Sequence, residues 1–137
     1  MHKLFNKRKE MIISRSIGVW MNHSFANLIE FTSELITSVI IDSNIDKHHD
    51  DLVMAHMETK GLFKAQNLQN AYLKEVESAL HNCKELILFG PNYSKVKLYH
   101  ILRQNTLFAN TKIKITHAED MNETQQHAFV KGHFMAK

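Results

Sequence analysis

The chain has 137 residues, 44% of them hydrophobic, and carries a net charge of +3 with a sequence pI near 9.0. These values predict a globular, mildly basic domain and exclude a disordered chain. Cys83 is the only cysteine, which excludes an internal disulfide framework and favours a reducing, cytoplasmic location. No apolar run reaches the roughly 18 residues that a membrane span needs, so no membrane partner is expected.

Residues 1–14 are predicted to form a basic N-terminal tail, and residues 15–137 a single domain. The lysines and arginines of the tail precede a short apolar run that Arg15 interrupts. The segment therefore lacks the apolar stretch of a signal peptide. Three interpretations remain open for it: a frayed tail, a true start at Met11, or a tail that contacts RNA phosphate.

Three strands are predicted next, at Arg15–Asn22, Phe25–Thr32 and Glu34–Ile41. Each is rich in β-branched, aromatic or aliphatic residues, and the polar turn Asn22-His23-Ser24 joins the first two. The short turns predict an antiparallel meander. The polar segment Asp42–Lys60 follows, and a segment of this length is either a functional loop or a disordered connection.

The chain then changes to a helical period. Apolar residues at helical spacing predict a helix over Phe63–His81. The apolar run Glu85–Phe89 predicts a buried parallel strand, which a Gly-Pro turn ends. A second helix follows, capped by Asn92 or Ser94 and ending near Asn105.

The last strand and helix complete the predicted fold. Thr111–His117 alternates between apolar and polar residues, which is typical of a strand with one buried face. Asn122 and Gln125 have the spacing of a capping box and begin the final helix. The order β-β-β-α-β-α-β-α predicts an α/β fold of the ribonuclease-H-like kind, a mixed five-stranded sheet with helices on both faces.

Ligands of such sheets bind where the parallel strands end. The predicted binding rim consists of Asn22, Gly90, Pro91, Asn92 and His117. The helix start after Gly90 offers amides suited to phosphate or carboxylate. Two alternatives to a binding rim remain open. The Gly-Pro turn could only bend the chain, or the rim could belong to an enzyme of unknown reaction.

Known catalytic and metal patterns are missing from the sequence. The ten histidines include no pair with a common metal-ligand spacing. The first strand, Arg15–Asn22, contains no acid of the kind that two-metal nucleases need there. No Gly-x-Ser-x-Gly motif is present. We therefore predict no catalytic residue, no metal and no cofactor.

Three motifs resemble one protein family. They are the frame Gly18–Ile29, the strand and turn Leu86–Pro91, and the ending Ala118–Val130. Together they are similar to the middle domain of archaeal and eukaryotic peptide-chain release factors and Pelota, and the resemblance extends over residues 15 to 134. It implies the ribonuclease-H-like fold and a place in the translation machinery.

One departure from the family concerns peptide release. In the release factors, the loop before the first helix carries Gly-Gly-Gln, which helps water to attack the peptidyl-tRNA ester. Here the corresponding segment has Gly61 and Gln66 but no Gly-Gly-Gln. The resemblance therefore implies a role like that of Pelota, whose middle domain also lacks the tripeptide, with the ribosome or tRNA-like RNA as partner.

Basic residues form the candidate RNA surface, together with the segment Asp42–Gln66. Lys112 and Lys114 are two residues apart on one strand and therefore share a face. The predicted contacts are Lys60, Lys64, Lys95, Lys97, Arg103, Lys112 and Lys114. An ordinary solvated face is the alternative interpretation of these residues.

A second hypothesis is a protein-interaction module of the same fold without an RNA role. Such a module could form a homodimer through apolar residues in and beside the long segment. These residues are Met54, Met57, Leu62 and Phe63.

Overall fold

The computed structural model describes residues 15–32, 35–44 and 59–136. Its strands are β1 (Arg15–Met21), β2 (Phe25–Phe31), β3 (Ile36–Asp42), β4 (Cys83–Gly90) and β5 (Lys112–His117). Its helices are α1 (Thr59–Ala79), α2 (Ser94–Gln104) and α3 (Glu123–Met135), and a 3-10 turn, Thr106–Phe108, follows α2. The predicted tail at 1–14 and residues 45–58 of the polar segment lie outside the described residues, and the single-domain boundary stays a prediction.

The strands form one sheet in the order β3-β2-β1-β4-β5. β1 and β3 are antiparallel to β2, whereas β4 is parallel to both β1 and β5. The meander and the two helical crossovers confirm the predicted α/β fold and its order of elements. The carboxyl ends of β1, β4 and β5 consequently lie at the same end of the sheet, where the predicted rim is.

The two faces of the sheet have separate apolar cores. Tyr72 of α1 and Leu98 of α2 belong to one core, and Val130 of α3 belongs to the other. Neighbouring residues of β4 alternate between them, since Leu88 packs in the first and Phe89 in the second. This confirms that helices cover both faces, with α1 and α2 together on one side and α3 alone on the other.

Helix α3 lies close to β1 because residue 18 is glycine. A Cβ atom at Gly18 would lie 2.4 Å from Cγ2 of Val130, a distance that real Cβ atoms do not show. A larger residue at this position would require the Val130 side chain, which is buried against β1, to move.

The element boundaries differ from the predicted ones at few positions. α1 begins at Thr59, before the predicted start at Phe63, so Lys60 belongs to the helix rather than to a loop. The predicted capping box is confirmed: Oδ1 of Asn122 accepts from the Gln125 amide at 2.8 Å, and Oε1 of Gln125 accepts from the Asn122 amide at 3.0 Å. None of the helices in the described ranges is long and apolar enough to cross a membrane.

Candidate functional site

Gly90 brings the strand ends at the predicted rim together. It pairs with His117 across β4 and β5, and the Ala118 amide donates to its carbonyl oxygen at 3.1 Å. Its φ is +148°, and a Cβ atom there would lie 2.1 Å from the Met21 carbonyl oxygen. Because Gly90 is buried, it serves to bring β1 and β4 together rather than to present a surface for a ligand.

Asn22, another predicted rim residue, holds the β1–β2 hairpin. Its Oδ1 accepts from the Ser24 amide at 2.8 Å and from the Phe25 amide at 2.9 Å. Its carbonyl oxygen accepts from the Tyr72 hydroxyl at 2.8 Å, which ties α1 to the rim. Burial, followed by the charge of Asp42, raises the pKa of Tyr72, so the hydroxyl keeps its proton and remains a donor.

The turn after Gly90 is held by its own side chains. Oδ1 of Asn92 accepts from the Ser94 amide at 3.1 Å, and Nζ of Lys95 donates to the Asn92 carbonyl oxygen at 2.6 Å. Lys95 is buried, and this burial lowers the pKa of its ammonium group. Lys95 therefore does not belong to an exposed RNA surface, which corrects the sequence prediction.

The start of α2 also differs from its prediction. Its N-cap is Tyr93, which makes no side-chain capping bond, rather than Asn92 or Ser94. The amides of Val96 and Lys97 both donate to the Tyr93 carbonyl oxygen. Since the Ser94 amide is bonded as well, this geometry favours the structural turn over the anion site.

A cleft of about 980 Å³, which we call the α1–α2 cleft, opens beside this turn. Tyr93 stands at its side with 62% of its surface exposed. Nδ2 of Asn92 lies 3.5 Å from Nδ1 of His23, which links the turn to the β1–β2 hairpin. None of the described residues that line the cleft is aspartate or glutamate. Besides Tyr93, the polar lining consists of His23, Gln66, Gln69, Asn70, Asn92, Ser94, Lys97 and His100.

Three residues of this cleft belong to the surfaces predicted from the sequence: Asn92, Lys97, and Gln66 at the end of the candidate surface segment. The predicted surfaces do not include His23, Gln69, Asn70, Tyr93, Ser94 and His100. A signal was present, because amide side chains three and four residues apart on α1 share one face. The two remaining rim residues do not line the cleft: Pro91 is half-buried, and His117 is exposed with its Nε2 3.3 Å from Oε1 of Glu119.

The predicted basic residues do not form one surface. Lys97 and Arg103 are exposed on α2, whereas Lys112 and Lys114 project from the sheet face that α3 covers, opposite to Ile113. The sheet therefore separates the two groups, and the expectation of one continuous patch is wrong. Lys64 is half-buried on α1, and the side chain of Lys60 lies outside the described part of the chain.

The apolar residues of the interaction hypothesis remain untested. Met54 and Met57 lie outside the described residues, as do the side chains of Leu62 and Phe63. The described residues expose large apolar side chains elsewhere, and half of these are at β3. They are Leu35, Val39, Ile40, Tyr93, Leu107 and Met135.

Cys83 is the first residue of β4 and lies at the end of the sheet opposite to the rim, beside a second cavity of about 630 Å³. Polar groups around this cavity bond to one another, as Thr111 Oγ1 does to the Cys83 carbonyl oxygen at 2.7 Å. Burial raises the pKa of the Cys83 thiol to about 12, so the thiolate is scarce at neutral pH. Within the described ranges, no group of three or more His, Cys, Asp or Glu residues is placed to hold a metal ion.

We expect the Cys83 thiol of the native protein to react with a disulfide reagent at least about 100-fold more slowly than in denaturant, because it is buried and protonated. The reaction is followed at mildly alkaline pH by the release of the reagent's own thiolate. Because the chain has one cysteine, this rate reports on Cys83 alone. Equal rates in the native and denatured states would contradict the burial of Cys83.

Comparison with known proteins gives a likeness in structure but none in sequence. A scan against protein-family models and a search of curated proteins each found no match. A search of solved structures found the crystal structure of the Thermoplasma acidophilum Pelota protein, with a TM-score of 0.58 and 13% sequence identity. The chain shares its fold with part of Pelota. The match covers 86% of this chain but 32% of the Pelota chain, so it concerns the fold of one part of Pelota and not its whole activity.

Proposed function

We propose that this chain is a non-catalytic module of the translation machinery that binds ribosomal or tRNA-like RNA in the α1–α2 cleft. The observation that carries the proposal is the lining of this cleft, which combines amides, imidazoles, an exposed tyrosine and Lys97 without a carboxylate among the described residues. Such a lining repels no phosphate and offers donors and acceptors to bases.

Each part of the cleft has a role in this proposal. The amides of Gln66, Gln69 and Asn70 hydrogen-bond to base edges, which are accessible in single-stranded loops and ends of RNA. The ring of Tyr93 stacks on a base. Lys97 neutralises a backbone phosphate and makes the binding sensitive to salt.

The fold and the sequence support the translational and non-catalytic parts of the proposal. The fold is like that of part of Pelota, and the proposed role is a cytoplasmic one. None of the four glycines is adjacent to another, so the chain has no Gly-Gly-Gln with which to promote ester hydrolysis. The module therefore binds without releasing the peptide.

Sedimentation of the purified full chain with ribosomes tests this function. At low salt the protein is expected to appear in the ribosomal pellet, and raised salt is expected to release it, because phosphate contacts exchange with counterions. Ribosomes pretreated with ribonuclease serve as the control and should retain less protein. Absence from the pellet at low salt would contradict the proposal and favour the protein-interaction hypothesis.

A further inference from the structure

The outer side of β3 forms an edge of the sheet, since β3 pairs only with β2 in the part of the chain that the structure describes. Leu35, Val39 and Ile40, at and beside this edge, are 62%, 63% and 59% exposed. No Lys, Arg or Pro lies between Ile36 and Asp42. These residues are the usual means by which proteins keep edge strands from pairing.

The other edge strand, β5, is protected in the usual way. Its exposed Lys112 and Lys114 would bring like charges together if two copies paired along β5. The only charged residue in β3 is Asp42, at the end of the strand. Charge therefore opposes self-pairing at β5 but not at β3.

Hydrogen bonds at the two ends of the β2–β3 ladder define which backbone groups face outward. The Ser43 amide donates to the Ser24 carbonyl oxygen at 2.8 Å, and the Thr32 amide donates to the Leu35 carbonyl oxygen at 3.0 Å. Bonded pairs alternate along an antiparallel ladder, so the odd-numbered residues of β3 bond to β2. The amides and carbonyls of Ile36, Ser38, Ile40 and Asp42 consequently point away from β2.

We propose that two copies of this chain pair along β3, antiparallel about a two-fold axis through Val39. In this register, Ile36 of one copy bonds to Asp42 of the other, and Ser38 bonds to Ile40, so that every outward backbone group of the strand gains a partner. Val39 lies opposite its own copy and loses its exposure. The two Asp42 side chains lie about 20 Å apart, and the dimer has one continuous sheet.

This dimer is independent of RNA, so it is tested on the purified full chain alone by sedimentation velocity over a range of concentrations. We expect a monomer–dimer equilibrium in which Ile40→Lys raises the dissociation constant at least about tenfold, through like charge and lost apolar contact. Leu107→Lys, at a site that is 83% exposed and away from β3, is the matched control and should leave the constant unchanged. A wild-type monomer at every concentration, equal effects of the two variants, or an open series of larger species would overturn the proposal.

Disulfide trapping tests the register. In a Cys83→Ala background, Val39→Cys places two thiols across a closely spaced pair, within the range of a disulfide. Thr37→Cys is the control, because the two cysteines at position 37 of the paired copies lie about 14 Å apart in this register. Rapid oxidation to a dimer is expected for Val39→Cys only. Equal trapping at both positions would overturn the register, and the normal emission of Trp20 checks that each variant is folded.

Discussion

Replacing Gly90 by alanine is expected to lower the free energy of unfolding by about 4 kcal/mol. The φ of +148° at Gly90 is strained for any residue with a Cβ atom, and that atom would lie 2.1 Å from the backbone oxygen of Met21. Since backbone cannot rotate away as a side chain does, β1 and β4 must separate at the rim. Urea unfolding followed by the emission of Trp20, the only tryptophan and a buried one, measures the loss.

Gly132→Ala is the control for this substitution. Gly132 lies in α3, and a Cβ atom there would have no neighbour within 4 Å. Alanine in a helix is favoured over glycine, so this variant is expected to gain about 0.5–1 kcal/mol. If Gly90→Ala unfolded at the same urea concentration as the wild type, the contact between Gly90 and Met21 would be refuted.

Removing one member of the buried Asn27–Gln126 pair is expected to cost about 3 kcal/mol. Nδ2 of Asn27 donates to Oε1 of Gln126 at 2.8 Å, and Nε2 of Gln126 donates to the Met121 carbonyl oxygen at 2.7 Å. Both side chains are buried. Gln126→Leu therefore leaves the Asn27 amide without its acceptor and the Met121 oxygen without its donor.

A double-mutant cycle separates this effect from simple loss of packing. We expect Asn27→Leu/Gln126→Leu to be less destabilised than the sum of the single variants, because no amide then remains buried without a partner. Oδ1 of Asn27, which has no hydrogen-bond partner among the described residues, is removed as well. Additive effects in urea unfolding would show that the two amides do not act as a pair.

Local signals were sufficient to predict the fold. The apolar run of β4, the alternation of β5 and the capping box at Asn122 each depend on neighbours in the sequence, and each is present in the structure. The handedness of the crossovers then restricts the sheet to few topologies. For this reason the order of strands could be predicted without knowledge of tertiary contacts.

The site could be predicted only in part, because its geometry depends on tertiary packing. Sequence spacing shows that Lys112 and Lys114 share a face, but the position of α3 determines which helices lie on it. The burial of Lys95 follows from a turn that closes over its side chain. The α1–α2 cleft needs the relative position of two helices, and that position has no signature in either helix alone.

Binding of a labelled single-stranded RNA, followed by fluorescence anisotropy at low salt, tests the central claim most directly. Lys97→Glu, in the cleft, and Lys131→Glu, on α3, change the net charge equally, and both residues are exposed. Binding in the α1–α2 cleft requires that Lys97→Glu raise Kd at least about tenfold while Lys131→Glu changes it less than about threefold. Equal effects of the two variants, or no binding by the wild-type protein, would contradict RNA recognition in this cleft.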